Sequence, residues 1–143
     1  MAEIKWAESA HHLPIEDFSP NPRNPKKHTK KQLEHIRNSI LHFGFLDPIG
    51  VWGKEHVVVE GHGRLEALKQ LVQDGKIRIP AEGVPCIMLD HLSKRDRDAY
   101  MLEHNQSTME TPWDDDLLDD VLGDIANEGL DMEQFGFEMH GEE

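Results

Sequence analysis

Residues 57–68 read VVVEGHGRLEAL, and no other stretch restricts the fold as much. Val57–Val59 form an apolar run continuous enough to be a buried strand. Leu65, Leu68, Leu71 and Val72 then recur at helical spacing. Only Glu60-Gly61-His62-Gly63-Arg64 separates the two patterns. So short a junction leaves the first amides of the helix without acceptors, at the positive end of its dipole. Gly61 and Gly63 carry no Cβ, so the backbone can take positive φ and an anion can approach closely. Arg64 adds a planar, bidentate donor in the first turn. From these residues alone, two readings stay open: a tight turn with a surface arginine, or a cradle for phosphate or carboxylate. Neither GxxxxGK[ST] nor GxGxxG is present.

The flanking sequence supplies the other elements. HLPIEDFSPNPRNPKKH, with four prolines and two asparagines, is an extended, turn-rich lead-in. Thr29 with Gln32 three residues on reads as a capping box. Leu33, Ile36, Ile40 and Phe43 make an apolar stripe and Gly44 a stop, predicting a first helix. DPIGVWGKEHVVVEG reads as strand, Gly-Lys turn and strand, and the second helix ends near Asp74-Gly75. GVPCIML is a further buried strand. SKRDRDAYMLEHNQ is a third helix, with Ser93 and Asp96 as its capping box. In TPWDDDLLDDVLGDIANEG, Thr111 is the expected cap and Pro112 the first helical residue. Its apolar face is Trp113, Leu117, Val121, Leu122 and Ile125, and the other face is acidic. Met132, Phe135 and Phe137 promise short apolar contacts near the end. This order predicts an α+β domain: a small mixed sheet with helices, plus a C-terminal acidic strap helix. The expected division is a body over 1–110 and a strap and tail over 111–143, packed on the same domain.

The net charge of −13 is unevenly spread. Residues 1–102 hold all 15 Lys and Arg against 14 Asp and Glu, a balance of +1, whereas residues 103–143 hold 14 acidic residues and no basic ones. Within the body, Arg23, Lys26, Lys27, Lys30, Lys31 and Arg37 face only Glu34. Such a cluster either follows DNA phosphates or is a solvated helix start. The acidic tail argues against the whole surface wrapping DNA. Cys86 is the only cysteine, which excludes a disulfide framework and a four-cysteine zinc site. No run reaches the roughly 18–20 apolar residues of a membrane span, and the start lacks a signal-peptide core. A cytoplasmic setting is expected.

Other chemically suggestive residues have plain readings. His28, His35 and His42 recur every seven residues, which on a helix separates neighbours by over about 10 Å, too far to share an ion. Asp114, Asp115 and Asp116 splay around a helix start, where the dipole stabilises them without a metal. Cys86 in VPCIML reads as a core thiol and Trp113 as a core anchor. His62 is placed to contact a bound phosphate, to shuttle a proton or to cap the helix.

Several motifs in order, NPRNP, SILHFGFLDPI, EGHGRLEAL, VPCIML and HNQSTMETPWD, resemble the ParB/sulfiredoxin superfamily over roughly residues 12–137. The pattern is most similar to ParB-like (ParB/RepB-type nuclease) domains of phages and mobile elements, found fused to or beside DNA methyltransferases. The resemblance implies the ParB N-terminal/sulfiredoxin-like fold and a nucleotide-phosphate turn at Gly61, His62, Gly63 and Arg64, directly after Glu60. Asn24-Pro25-Lys26 resembles the nucleotide-contacting QPR of partition proteins. Their ENxxR resembles Glu103 to Ser107, or His104 to Thr108 when Asn105 is aligned, and neither register supplies the arginine. Partition proteins also carry two arginines in the turn, where this chain has Gly63 in the first position. The resemblance therefore implies triphosphate binding but leaves partition-type CTP hydrolysis without its arginines. No helix-turn-helix domain follows, so plasmid segregation is not expected. Sulfiredoxins place a catalytic cysteine where His62 stands, which excludes sulfinic acid reduction.

The resulting expectations are specific. Gly61, His62, Gly63, Arg64, Asn24, Lys26, Asn105 and Gln106 bind nucleotide or phosphate, and Arg23, Lys26, Lys27, Lys30 and Lys31 bind DNA. Glu60, Glu34 and His62 are the candidates for catalysis, with Asp47 nearby, and Glu103 or Asn105 for magnesium. The expected cofactor is CTP, ATP or ADP with magnesium, with no zinc and no redox group. Expected partners are DNA, bound weakly or through another protein, a DNA methyltransferase fused or separate, and a second copy as homodimer, with no membrane. The chain is a small stand-alone protein or an excised domain. The functional reading is a nucleotide-binding ParB-like domain that regulates or targets a methyltransferase in phage or mobile-element DNA modification. The alternatives are a weak NTPase, phosphotransferase or nuclease using the same turn, and a ligand-free protein-interaction module.

Overall fold

The computed structural model describes residues 1–110 and 112–139. Four short strands make one sheet: β1 (His11–Leu13), β2 (Ile49–Trp52), β3 (Val57–Glu60) and β4 (Val84–Met88), in the order β1-β4-β2-β3. β4 runs antiparallel to β1 and parallel to β2, and β2 runs antiparallel to β3. The sheet is thus mixed, as expected. β1 is an addition, because the proline-rich lead-in pairs His11–Leu13 with Val84–Cys86 before it turns away. Farther along, Ser19 bridges Val57 in parallel, with Val58 N donating to Ser19 O at 2.9 Å.

The helices are α1 (Lys30–Phe43), α2 (His62–Gln73), α3 (Lys94–Glu110) and α4 (Asp115–Asn127). α1 packs on α2, α2 reaches β2, and α3 contacts β3. The core gathers Phe18, Ile49, Val51, Val58, Leu65, Leu68, Val84 and Cys86. Burial raises the Cys86 thiol above its ordinary value, as suits a structural residue. Burying one such aliphatic side chain contributes about 1.5–3 kcal/mol. A core so small holds together because both the strand side and the α2 side of the 57–68 junction are buried.

Helix boundaries follow local chemistry. Thr29 accepts from Gln32 N at 3.0 Å, and Gly44 stops α1 at φ +104°, its amide donating to Ile40 O. The capping box is half made, because the Gln32 side chain turns to His28 instead of back to Thr29. Ser93 caps α3 through Asp96 N at 3.1 Å. α3 runs on to Glu110, so Asn105 and Gln106 lie inside the helix and do not cap its end.

The strap helix differs from expectation. Thr111 lies outside the described residues, Pro112 precedes the helix, and Asp114 is the cap, accepting from Leu117 N at 3.2 Å. Leu122 is buried with Leu118 and Ile125 half-buried beside it, while Trp113, Leu117 and Val121 face outward. Trp113 is therefore no core anchor. Its ring meets Phe137 at 6.1 Å between centroids. A carboxylate already at position 114 caps more readily than a helix extended through a proline-linked segment. The end of the chain packs on α1: Asn38 Nδ2 donates to Gln134 O at 2.8 Å, and Phe135 stacks 5.1 Å from Phe43.

Candidate phosphate-binding cleft

α2 starts immediately after Gly61, which adopts φ +96°, a left-handed conformation that glycine takes without strain. The first helical bond of this turn is Leu65 N to Gly61 O at 2.8 Å. The amides of His62, Gly63 and Arg64 have no backbone acceptor among the described residues. The turn lines a cleft of about 240 Å³ together with Asn24, Lys26, His28, Glu60, His104 and Asn105, with Ile36 and Thr108 completing its wall. The start of α2, with its free amides and dipole, thus shares a cleft with Lys26, Asn24 and Asn105, residue types suited to an oxyanion.

Each wall comes from a different element. Asn24 and Lys26 sit in a compact turn of the lead-in, where Asn24 Oδ1 accepts from Lys26 N at 3.2 Å and Asn21 Oδ1 from Arg23 N at 3.0 Å. Asn21 is itself buried against Met101 of α3. Arg97, 7% exposed, lies 4.6 Å over the Trp52 ring and pairs with Asp98, which also holds Arg23 at 3.5 Å. Lead-in, sheet and α3 are thereby locked together behind the cleft.

Glu60 closes the floor. Tyr100 Oη donates to its Oε2 at 2.8 Å, and His104 Nδ1 stands 4.0 Å away. Opposite it, Gly50 makes room, since a Cβ there would fall 2.7 Å from Glu60 Cγ. Burial and the Glu60 carboxylate push the Tyr100 hydroxyl up to about 12, so it remains a donor at neutral pH. His62 is held neutral: burial first, then the neighbouring His28, lowers its ring to about 4. Its Nε2 is buried with no hydrogen-bond partner among the described residues. At neutral pH His62 is thus an uncharged ring that donates to the Val58 backbone, and its imidazolium form is disfavoured.

Arg64 lines the cleft but is committed elsewhere. Its Nε donates to Asp47 O at 3.2 Å and Nη2 to Pro48 O at 3.0 Å, with Nη1 3.9 Å from the Asp47 carboxylate. The guanidinium thus braces the α1–β2 loop. Gln106 and Glu103 lie on the outer side of α3, in a neighbouring groove with Pro25, Lys26, Leu102 and Met109. Glu103 there accepts from the Ser107 hydroxyl. Glu34 lines a separate groove with Lys30, Lys31, Arg37 and Gln70, away from the turn, so it is not placed to act on a ligand there. Lys26 belongs to the cleft, Lys27 is exposed, and Arg23 is drawn toward Asp98. The basic cluster therefore spreads over three places. No group of three or more His, Cys, Asp or Glu able to hold a metal ion occurs among the described residues. No helix among them is long and apolar enough to cross a membrane.

His28, His104, Ile36 and Thr108 line the cleft and are not among the expected site residues. The His28 ring occupies the space above Gly63. The signal available was the pairing of a histidine just before the α1 cap with a glycine inside the turn.

Residues 2–105 match the ParB N-terminal domain model. The chain belongs to the ParB N-terminal domain family. This ParB N-terminal domain is 30% identical over 80 residues to the ParB-like nuclease domain-containing protein YnaK of Escherichia coli K12, covering 56% of this chain and 82% of that one. It is 37% identical over 62 residues to a probable chromosome-partitioning protein ParB of Campylobacter jejuni, covering 41% of this chain and 22% of that protein's length. Among solved structures, it is similar to the C-terminally truncated ParB of Caulobacter crescentus complexed with CTP-γ-S, with TM-score 0.65 and 21% identity over 90% of this chain and 71% of that one. A Pnob8-like ParB-N domain aligns at TM-score 0.50 and 16% identity, over 71% of this chain and 39% of that one. These likenesses show the fold of the ParB N-terminal domain. The strap helix lies beyond the residues matched by the family model.

Proposed function

We propose that this domain binds the phosphates of a nucleoside triphosphate at the 60–64 turn. The observation that carries the reading is the set of three amides, at His62, Gly63 and Arg64, without an acceptor among the described residues, in a turn that lines a cleft with Lys26, Asn24 and Asn105. The neighbouring Caulobacter ParB, crystallised with CTP-γ-S, supports a nucleotide as the ligand. CTP, ATP and ADP share the recognised oxyanion, and the base would be read outside the turn. Magnesium, when bound, supplies charge neutralisation to the phosphates, and Asn105 and Glu60 are the cleft oxygens able to hold it.

In this reading nucleotide occupancy regulates DNA handling in a phage or mobile-element setting, in the cytoplasm, through a DNA methyltransferase fused to or beside the domain. The motif series supports that context, and exposed Lys27, Lys30 and Lys31 support weak DNA contact. The 111–143 segment acts as part of the same domain, consistent with the Asn38–Gln134 bond. Homodimer formation belongs to the same proposal.

Titration calorimetry with CTP, ATP and ADP, each with and without magnesium, tests it. Saturable binding of at least one nucleotide is expected, and absence of binding by all three overturns the reading. A second reading, a nucleotide-dependent transferase or nuclease, is favoured by Glu60, a carboxylate held at the cleft floor by Tyr100. Release of free phosphate or of a phosphorylated product, abolished by Glu60→Gln, would decide for it.

A further inference from the structure

We propose that His28 is an anion-contacting residue of the cleft, admitted by the missing side chain of Gly63. Gly63 is the second residue of α2 and does not have positive φ. Its backbone therefore has no need of glycine, which is a poorer helix former than alanine. What requires glycine is space. A Cβ at residue 63 would stand 2.8 Å from His28 Cε1, 3.0 Å from Nε2 and 3.1 Å from Nδ1. The imidazole thus fills the volume that a side chain on the turn would take.

The ring is held from behind. The Gln32 side-chain amide, one turn into α1, lies 3.2 Å from Nδ1, which is why the capping box at Thr29 is only half made. With that amide turned to donate to Nδ1, the ring proton sits on Nε2 and is available to an anion. His28 is the last residue before that cap, so its backbone is fixed as well. Its ring is close enough to His62 to help keep that imidazole neutral. The Arg64 guanidinium is engaged by Asp47 and Pro48 and His104 leans toward the Glu60 carboxylate, which leaves Lys26 and His28 as the basic side chains of the cleft on the lead-in side of the turn. Amides, an ammonium and an imidazole around one small cleft suit a phosphate group. The inference rests on the nucleotide-phosphate reading above and assigns one residue's part in it.

The test uses magnesium pyrophosphate and magnesium CTP in titration calorimetry, on the wild type and on His28→Ala, His28→Phe, Gly63→Ala and the Gly63→Ala/His28→Ala pair. Thermal melting of each variant confirms folding. His28→Phe keeps a ring against Gly63 but has no N–H, so it and His28→Ala should each weaken binding about tenfold, the size of one lost charge-assisted hydrogen bond. Gly63→Ala expels the ring and should weaken binding to the same degree, with the double variant no worse than Gly63→Ala alone. Wild-type affinity in His28→Phe would reduce the residue to packing and overturn the proposal. So would a loss in Gly63→Ala with His28→Ala unaffected. No binding by the wild type would instead overturn the nucleotide reading on which the inference stands.

Discussion

Tyr100 Oη donates to Glu60 Oε2 at 2.8 Å, tying the middle of α3 to the last residue of β3, one position before the turn. The contact fixes where the Glu60 carboxylate lies relative to the unbonded amides. It also makes α3 a wall of the cleft in register with the sheet.

Tyr100→Phe should therefore cost about 1–2 kcal/mol, because the half-buried carboxylate loses its donor while the ring packing stays. Urea unfolding of the variant beside the wild type reads the cost. Unchanged midpoints would show that the bond is immaterial to folding.

Acid should weaken the fold through His62. Its folded-state pKa, about 4, lies below the ordinary 6.5, so the unfolded chain takes up a proton before the folded one does. Stability is complete above about pH 6.5 and falls as pH drops toward 4, by up to about 3 kcal/mol from this group. In His62→Gln the stability–pH slope over that window should be shallower than in the wild type. Urea midpoints at half-unit pH steps measure it, and parallel curves would refute the assignment.

Arg64 has a structural part, bracing the α1–β2 loop. Arg64→Ala releases the carbonyls of Asp47 and Pro48 and should cost about 1–3 kcal/mol before any effect on binding. Arg64→Lys keeps the charge without the fork and should recover little of that stability. Chemical unfolding of both variants separates the structural loss from the change in anion affinity.

Gly83→Ala should be the most damaging small substitution at the sheet edge. The residue has φ +105°, and a Cβ would stand 2.5 Å from Leu13 O, a backbone atom of β1. β1 has to leave β4 to accommodate it, at a cost above about 3 kcal/mol. Loss of amide-exchange protection at His11–Leu13, with β2 and β3 still protected, is the expected signature.

Much of the molecule was legible because its signals are local. Thr29, Gly44, Ser93 and the 57–68 junction act within a few residues, and each element they predict is present. β1 was not legible, since three residues of lead-in become a strand only by pairing with β4. The strap helix begins later than expected because Asp114, a stronger cap than threonine, accepts from Leu117 N and starts it there. At the cleft, Gly61–Arg64, Asn24, Lys26, Glu60 and Asn105 come together as the pattern suggested, while Glu34, Glu103 and Gln106 face other grooves. Those three sit on helices whose rotation against the body no spacing rule fixes. The role of Gly63 was hidden for the same reason: its neighbour, His28, is distant in sequence.

Ser19, bridged to Val57 at the outer edge of β3, and Thr29, capping α1, bracket the segment that carries Asn24, Lys26 and His28. Both ends of that segment are anchored by the fold itself. The conformational entropy of shaping this wall is lost when the chain folds, not when an anion arrives. An anion bound as proposed would accordingly dock onto a ready surface, without a loop-ordering step.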